Sequence, residues 1–182
     1  WQCDAQLNEV GLRCLTLNRG VGLYHNLPLT PEPSGADAWR YQQIFAREGV
    51  SSPAPVAHFA TDSGMHGSAM LPRGLKQTGY AHFIESLRIN MRHIGALRLS
   101  QIGQLFRQYW VVDDTEQGAY VSYDAEDFMG ILALESRRNQ CLVVGENIGW
   151  LASDISDTLH HRGILTEQVL YCEKNDDYTF RA

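Results

Sequence analysis

The sequence of 182 residues, 44% of them hydrophobic and 20% charged, is long enough for one domain with a hydrophobic core and too ordinary for a disordered or fibrous chain. Its formal net charge of −6, with basic residues scattered along the chain, argues against a nucleic-acid partner. No apolar run is long enough to span a membrane, and we recognise no signal-peptide pattern.

The first predicted elements are a helix and a strand. Apolar residues at helical spacing predict a helix over 4–18, which Gly20 and Gly22 end. Residues 21–29 are typical of a buried strand and its exit. Because the sequence begins at Trp1 rather than Met and enters the helix at once, we expect a segment or a truncated copy of a longer protein.

A second helix is predicted over 36–48, with Trp39 and Phe45 as its anchors in the core. The next stretch, about 49–79, is rich in Gly, Pro, Ser and Ala and has no regular pattern. Such a stretch is either a functional loop or a loosely ordered surface loop, and both interpretations stay open at this point.

The following residues alternate more regularly between helix and strand patterns. A clear helical face covers 80–94, and 96–102 is typical of a strand. We predict a short aromatic-rich helix around 106–110, followed by a charged turn over 113–118. Asp124 can then cap the next helix.

The last part of the sequence repeats the same alternation. The continuous apolar run over 141–146 is typical of a strand buried on both faces. Ser153 can cap a helix that Gly163 ends, and a fourth strand is predicted over 164–171.

This order of elements predicts one α/β domain of parallel βαβ units over residues 1–182, without choosing between a barrel and an open sheet. Neither a GxGxxG nor a P-loop motif is present, so we expect no nucleotide and no other cofactor. The cysteines form no CxxC pair, and we expect buried free thiols, a usage that fits the cytoplasm. They are Cys3, Cys14, Cys141 and Cys172.

Polar residues at the ends of the predicted strands mark the candidate site, because ligands of parallel α/β domains bind at the carboxyl ends of the strands. These residues are Asn26, the pair Arg98 and Ser100, and the pair Glu146 and Asn147. Glu146 is either a general acid in a partly desolvated site or a residue that caps a neighbouring loop. Arg98 needs a partner within its apolar strand, either a carboxylate such as Glu146 or a sugar hydroxyl.

The adjacent His160 and His161 lie on a short predicted helix beside Arg162. We interpret them as part of a solvated helix face rather than as metal ligands. The sequence therefore predicts no metal site.

Several segments resemble amylomaltases, the 4-alpha-glucanotransferases, in order and nearly end to end. The segments are 22–24, 96–100, 118–123, 131–136, 144–149, 163–165 and 169–171. The resemblance implies the central part of a (β/α)8 TIM barrel, about its third to sixth strands, that transfers α-1,4-glucan segments by a retaining mechanism. It also implies a maltooligosaccharide or α-1,4-glucan as the substrate.

In that family a strand reading A-L-R-I-D-H ends in the nucleophilic aspartate, and the strand G-E-D-L-G supplies the acid/base glutamate. By this resemblance Glu146 has the acid/base position, Arg98 is the neighbouring arginine, and Ser100 has the nucleophile position. The resemblance places the third catalytic aspartate beyond Ala182. Substrate contacts are expected from Tyr24, Asn26, Trp39, Gln101 and Asn147.

The serine at position 100 changes the expected chemistry. A retaining mechanism needs two carboxyl groups about 5 Å apart, and a serine hydroxyl without a base is a poor nucleophile. Losing such a charge costs on the order of a thousandfold or more in rate. Gln101, Asn26 and Asn147 also depart from the family pattern, so the changes affect the site more than the core. The sequence therefore predicts an impaired or inactive relative of the enzyme.

Three functions remain open from the sequence. The first is a non-catalytic domain that binds glucan weakly through aromatic side chains, namely Tyr24, Trp39, Tyr109 and Trp110. The second is a working transferase in which Asp113 or Asp114 replaces the lost carboxylate. The third is a protein-interaction module, because part of a barrel has open sheet edges that pair with a completing chain or a second copy.

Overall fold

Two four-stranded sheets and the helices that join them form the framework of the molecule. The computed structural model describes residues 1–17, 19–46, 50–53, 66–112, 118–147, 151–167, 169 and 179–180. Its strands are β1 Tyr24–Pro28, β2 Val50–Pro53, β3 His66–Ser68, β4 Ala96–Ser100, β5 Arg107–Val112, β6 Gly118–Ser122, β7 Leu142–Gly145 and β8 Leu165–Thr166. Its helices are α1 Gln2–Thr16, α2 Ala36–Arg40, α3 Pro72–Gln77, α4 Ala81–Met91, α5 Ala125–Asn139 and α6 Ser153–His161, with a 3-10 turn Ile102–Leu105.

The first sheet has the strand order β1-β4-β7-β8, and all its strands are parallel. Helices α4, α5 and α6 lead into β4, β7 and β8 respectively. This confirms the predicted parallel βαβ units, and it aligns the carboxyl ends of the four strands along one edge. In register, Asn26 lies beside Arg98 on the neighbouring strand.

The core lies between this sheet and the inner faces of α4 and α5. Helix spacing brings Phe83, Leu87 and Met91 to one face of α4, as the sequence predicts. Phe83 packs edge to face on Phe128 of α5, with ring centroids 5.0 Å apart. Leu87 is fully buried, and burial of such a side chain stabilises the fold by roughly 2 kcal/mol.

The second sheet is antiparallel, with the order β3-β2-β5-β6, and was not predicted. The expected helix around 106–110 is wrong, because these residues form β5. Tyr109 of β5 and Tyr120 of β6 are direct cross-strand partners with ring centroids 5.0 Å apart, an arrangement that favours a strand pair. The expectation of irregular structure over 49–79 is also partly wrong, since β2, β3 and α3 lie there; residues 54–65 lie outside the described part of the chain.

The helix predicted over 36–48 ends at Arg40. Beyond it, the backbone of Ile44 accepts a hydrogen bond from Leu71 N–H, and Phe45 forms a bridge with Met70. These contacts compete with helical hydrogen bonds. Phe45 is buried as predicted, but Trp39 is 76% exposed and does not anchor α2.

Three further expectations about burial and capping need correction. Strand β1 is mostly exposed rather than buried, because β1 lies at the end of the strand order, with β4 as its neighbour on one side. Helix α1 forms as predicted, but none of its residues is buried. Asp124 does precede α5, yet its side chain makes no capping hydrogen bond and instead accepts a hydrogen bond of 2.9 Å from Lys76 Nζ.

The three cysteines in the described part of the chain are free but not uniformly buried. Cys3 is exposed, Cys14 is partly buried and Cys141 is buried, where desolvation raises the pKa of its thiol to about 11. Cys172 lies outside the described residues. The predicted burial of Cys3 is wrong because no residue of α1 is buried in the core.

The predictions for α6 are confirmed except for its cap, because Ala152 is the N-cap residue and Ser153 is the first residue of the helix. Ile155 and Leu159 face inward, and Gly163 ends the helix with a φ of +70°, a conformation that favours glycine. Within the described ranges, no helix is long and apolar enough to cross a membrane. No group of three or more potential metal ligands occurs among those same residues.

Candidate functional site

The guanidinium of Arg98 lies at the centre of a polar cluster at the carboxyl end of the parallel sheet. Its Nε and Nη2 donate to the two carboxylate oxygens of Glu167 at 2.9 and 2.6 Å. Nη2 also donates to Glu146 Oε1 at 2.6 Å, and Nη1 donates to Asn26 Oδ1 at 2.7 Å and to Ser100 Oγ at 3.2 Å. All five N–H groups of Arg98 therefore have acceptors.

The parallel register brings these side chains together. Asn26 and Arg98 are direct neighbours on β1 and β4. Glu146 directly follows β7 and its N–H donates to Leu99 O, while Glu167 directly follows β8 and its N–H donates to Gly145 O. The cluster thus collects one polar residue or more from the carboxyl end of each strand, as the sequence analysis expected for Asn26, Arg98 and Glu146.

The cluster is partly shielded from solvent. The exposed fractions of the Arg98, Glu146 and Glu167 side chains are 23%, 15% and 27%. Hydrogen bonding to Glu167 and then to Glu146 raises the pKa of Arg98 above its usual range, against desolvation. Desolvation and the nearby charge of Glu167 also raise the pKa of Tyr24. One cation thus holds two carboxylates together, so loss of the cation would leave two like charges facing each other.

The hydroxyl of Ser100 has partners that are not bases. It donates to Asn26 Oδ1 at 2.9 Å and accepts from Arg98 Nη1 at 3.2 Å. An amide oxygen does not take up a proton near neutral pH, and a guanidinium cannot act as a base. These contacts hold the hydroxyl in place without activating it as a nucleophile.

Both oxygens of Glu146 accept hydrogen bonds from the protein. Oε1 binds Arg98, and Oε2 accepts from the backbone N–H of Gln101 at 2.6 Å. Gln101 has left-handed backbone angles, φ 52° and ψ 51°, at the turn after β4. The predicted ion pair between Arg98 and Glu146 is therefore confirmed, and Glu146 also caps this neighbouring turn.

A cleft of about 220 Å³ opens beside the cluster. Its walls are Asn26, Pro28, Leu29, Thr30, Pro31, Glu32, Gly67, Ser100, Gln101 and Gln104. Apart from Glu32, the polar side chains are neutral hydroxyls and amides. Gly67 keeps the cleft wall close, because a Cβ at this position would overlap Thr30 Oγ1. The cleft is suited to a neutral ligand with several hydrogen-bonding groups.

Gln104 is the buried polar residue of this cleft. Gln104 is only 6% exposed, and its Nε2 donates to Gln101 Oε1. Its own Oε1 has no hydrogen-bond donor among the residues that the structure describes. A buried acceptor without a donor costs roughly 1–3 kcal/mol, so it needs an explanation.

The aromatic residues predicted to bind sugar are not grouped around this cleft. Trp39 is exposed on α2, and Tyr24 is exposed on β1 beside the polar cluster. Tyr109 and Trp110 lie in the antiparallel sheet, where Trp110 Nε1 donates to Tyr123 Oη at 3.3 Å. The structure therefore separates these aromatic side chains, and the lining of the cleft is amide and hydroxyl instead.

Asn147 follows Glu146 and is partly buried. Asp113 and Asp114, proposed as substitute carboxylates, lie outside the described residues. Sequence reasoning missed Glu167 and Gln104. The signal for Glu167 was a charged residue within the strand predicted over 164–171; it becomes a strand-end residue because β8 ends at Thr166.

A parallel sheet with a charged cluster at the carboxyl ends of its strands is consistent with a (β/α) barrel, and also with an open α/β sheet. The 4-alpha-glucanotransferase family matches residues 1–182, so the chain belongs to this family. The 4-alpha-glucanotransferases of Mycobacterium tuberculosis and Mycobacterium bovis are 35% identical over 181 residues, which is 97% of this chain and 25% of each relative. The Haemophilus influenzae 4-alpha-glucanotransferase is 29% identical, over 98% of this chain and 26% of its own length.

Solved structures agree with this family and with the barrel. The amylomaltase from Corynebacterium glutamicum superposes with a TM-score of 0.86 at 28% identity, over 97% of this chain and 25% of its own. A Streptococcus agalactiae amylomaltase, at a TM-score of 0.70 and 11% identity, shares the fold over 84% of this chain and 32% of its own. The chain thus spans about a quarter of the length of the curated relatives, and its fold is part of an amylomaltase barrel.

Proposed function

We propose that this chain binds α-1,4-glucan at the carboxyl end of its parallel sheet and does not transfer glucan segments by itself. The observation that carries this proposal is the environment of Ser100, whose hydroxyl pairs with the amide of Asn26 and the guanidinium of Arg98 and hydrogen-bonds to no base among the described residues. By family resemblance this is the nucleophile position, and no carboxylate stands there.

The rest of the cluster supports an impaired catalyst. A retaining transferase needs one carboxyl group that attacks the anomeric carbon and a second that protonates the departing oxygen. Glu146 has the acid/base position by resemblance, but both of its oxygens already accept hydrogen bonds from Arg98 and Gln101. A leaving-group oxygen would have to displace one of these donors.

The neutral cleft supports retained glucan binding. Maltooligosaccharides carry many hydroxyl groups and no charge, which matches a lining of amides and hydroxyls such as Asn26, Ser100 and Gln101. Family membership points to the same class of ligand. We therefore expect weak binding of short α-1,4-glucans without turnover.

Maltotriose disproportionation by the purified chain tests the proposal directly. We expect no maltotetraose or longer products from the parent chain or from Glu146→Gln. Products from the parent that disappear in Glu146→Gln would show that the chain is a working transferase. The Ser100→Asp variant measures whether the serine alone limits the reaction, because it adds the carboxylate that the family mechanism requires.

A second candidate function, residual glucan transfer, is favoured by the position of Glu167. Glu146 Oε1 and Glu167 Oε1 each lie 2.6 Å from the same Arg98 Nη2, so their separation is at most twice that distance. That upper bound does not exceed the spacing of about 5–5.5 Å that a retaining pair requires. If the parent chain is active, Glu167→Gln should remove the activity and Ser100→Ala should leave it; the reverse pattern would exclude Glu167 as the attacking group.

Two further properties belong to the same proposal. The edges of the parallel sheet suit pairing with a second copy or with a chain that completes the barrel, because an open sheet edge exposes unpaired backbone groups that a closed barrel pairs. A location in the cytoplasm remains a prediction, made from the cysteine usage.

A further inference from the structure

His82 is a mostly buried titratable side chain that takes no part in the polar cluster. It lies on α4, its side chain is 14% exposed, and its ring packs edge to face against the rings of Tyr41 and Phe45, with centroids 4.5 and 5.0 Å apart. Its Nε2 lies 3.9 Å from Asp37 Oδ1, which is too far for a hydrogen bond. The ring is therefore held by aromatic contacts, which suit its neutral form.

The aromatic neighbours of this ring are connected to the wall of the cleft. Phe45 is buried, and its segment 44–46 makes two backbone hydrogen bonds, of 2.7 and 2.8 Å, with the segment 69–71. That segment directly follows β3, whose last residue donates its N–H to Pro31 O at 3.0 Å. Pro31 and Gly67 both line the cleft. The contact between α4 and Phe45 therefore helps to hold this wall in place.

Two carboxylates and one guanidinium act on the ring among the described residues. Asp37 is 61% exposed, so solvent screens its attraction, and Glu85 of α4 already accepts a hydrogen bond of 2.9 Å from Tyr41 Oη. The guanidinium of Arg40 lies over the Tyr41 ring, 5.0 Å from its centroid, and repels a protonated imidazole. Burial lowers the pKa of His82 below its ordinary value of 6.5, against the attraction of the two carboxylates.

We propose that His82 makes the wall of the cleft sensitive to pH. Protonation puts a charge between Tyr41 and Phe45, so the ring leaves these contacts for solvent and α4 holds the segment 44–46 less firmly. The segment 69–71 and the adjacent wall then loosen as well. The loosening needs no ligand, whereas its effect on the cleft regulates the proposed glucan binding and rests on that proposal.

The direction of the effect follows from the neutral form being favoured in the fold. The stabilisation from His82 is complete above the ordinary pKa of 6.5, because the ring is then neutral in the folded and the unfolded chain. It is lost as the pH falls below that value, because the unfolded chain takes up the proton more readily. The wall is therefore expected to be held firmly near neutral pH and to loosen in mild acid.

Hydrogen exchange of the Ala46 and Leu71 amides tests the inference without a ligand, because these N–H groups make the two bonds between the segments. After correction for intrinsic rates, we expect their protection in the parent chain to fall about fivefold between about pH 7.5 and about pH 5. His82→Phe keeps a ring beside Tyr41 and Phe45 but cannot be protonated, so its protection should stay constant.

His93, which lies just beyond the end of α4, provides the matched control. Its side chain is also 14% exposed, but its Nε2 lies 2.9 Å from Asp4 Oδ1 and it has no ring contact with the segment 44–46. His93→Gln should therefore leave the pH dependence of the two amides as in the parent. An NMR titration of the His82 ring in the parent needs no variant, and the amide protection should fall in the pH range where this ring titrates.

The outcomes separate this inference from the glucan proposal. Protection that stays constant in the parent, or that falls equally in His82→Phe, would overturn it. In calorimetric titrations at the same two pH values, the parent should bind maltotriose more weakly in acid and His82→Phe equally at both. If parent binding does not change while its protection falls, His82 does not regulate the cleft. If the parent binds no maltotriose at either pH, the glucan proposal fails, and the exchange results alone decide whether His82 controls the packing.

Discussion

Arg98 is the residue whose contacts organise the candidate site. It reaches two carboxylates, one amide oxygen and one hydroxyl with five N–H groups in a fixed plane. A lysine could supply the charge but not this geometry. The guanidinium therefore fixes the positions of Glu146 and Glu167 relative to each other as well as neutralising part of their charge.

Removing this cation should be costly because its partners remain. We expect Arg98→Met to lower the free energy of unfolding by about 2 kcal/mol, between the values for exposed and fully buried ion pairs. Urea unfolding of Arg98→Met, Glu167→Gln and the double variant measures the coupling. The double variant should be more stable than Arg98→Met alone, since only one carboxylate then lacks its partner; additive losses would contradict the shared role of the cation.

The residues of the site were unequally predictable from the sequence. Arg98 and Glu146 could be predicted as partners because an arginine in an apolar strand needs a carboxylate, and both end neighbouring parallel strands. Glu167 could not, because its role depends on β8 ending at Thr166, and strand ends are poorly marked in a sequence. Gln104 could not, because its burial comes from the turn after β4 and the cleft wall opposite it.

At the scale of elements, the packing of α4 on α5 contains a buried carboxylate. Glu135 is 2% exposed on the inner side of α5 and accepts from Arg88 of α4 at 2.8 and 3.0 Å. Arg138, one turn further along α5, donates to it at 2.9 Å. The two arginines, each about half exposed, satisfy the carboxylate from opposite sides.

This arrangement predicts a pH dependence of stability. Hydrogen bonds from Arg88, and then from Arg138, lower the pKa of Glu135 below its ordinary value of 4.5, against desolvation. The stabilisation is therefore complete above that ordinary value and is lost as the pH falls through the lowered pKa of the folded state. We expect Glu135→Gln to be less stable than the parent by about 2 kcal/mol near neutral pH.

Urea unfolding between neutral pH and about pH 3 checks this dependence. The difference in unfolding free energy between the parent and Glu135→Gln should shrink as the pH falls. The exposed Glu9 of α1 provides the control, since Glu9→Gln should leave the acid-induced loss unchanged. A constant difference between the parent and Glu135→Gln across the pH range would show that the ion pair does not stabilise the fold.

The helices and strands differ in how well they could be predicted from the sequence. Helix α4 and strand β4 have apolar patterns that match their burial, so local signals and tertiary packing agree, whereas Leu134 of α5 and Leu142 of β7 are about half exposed. β5 was misassigned because its stretch around Tyr109 and Trp110 has the length and aromatic content of a short helix, and pairing with β6 and β2 determines the strand. The partner β2 lies far from β5 in the sequence, so no local pattern shows this pairing.

At the scale of the whole molecule, the strand order leaves β1 and β8 at the two ends of the parallel sheet within the described residues. Tyr24 of β1 and Leu165 of β8 are 54% and 53% exposed. Apolar strands at the ends of a sheet tend to pair with another chain. We therefore expect the chain to self-associate with increasing concentration.

Sedimentation velocity over a range of concentrations measures this association. Lysine on edge strands opposes pairing, so the double variant His25→Lys/Leu165→Lys should shift the equilibrium toward monomer by tenfold or more, about 1.4 kcal/mol. The double variant Ile89→Lys/Leu134→Lys, at exposed positions of α4 and α5, serves as the charge-matched control away from the sheet edge. A parent chain that stays monomeric at every concentration would rule out association through these strands.

The saturated guanidinium of Arg98 also makes positions 100 and 167 epistatic. An aspartate introduced at Ser100 alone would replace the hydroxyl that accepts from Arg98 Nη1 and would bring a third carboxylate to the one cation that already pairs with Glu146 and Glu167. The same aspartate introduced after Glu167→Gln would find a cluster with one negative charge fewer. If Ser100→Asp comes first, the single variant contains three like charges around Arg98. If Glu167→Gln comes first, no variant along the way contains three. The favourable order of substitution therefore changes residue 167 first.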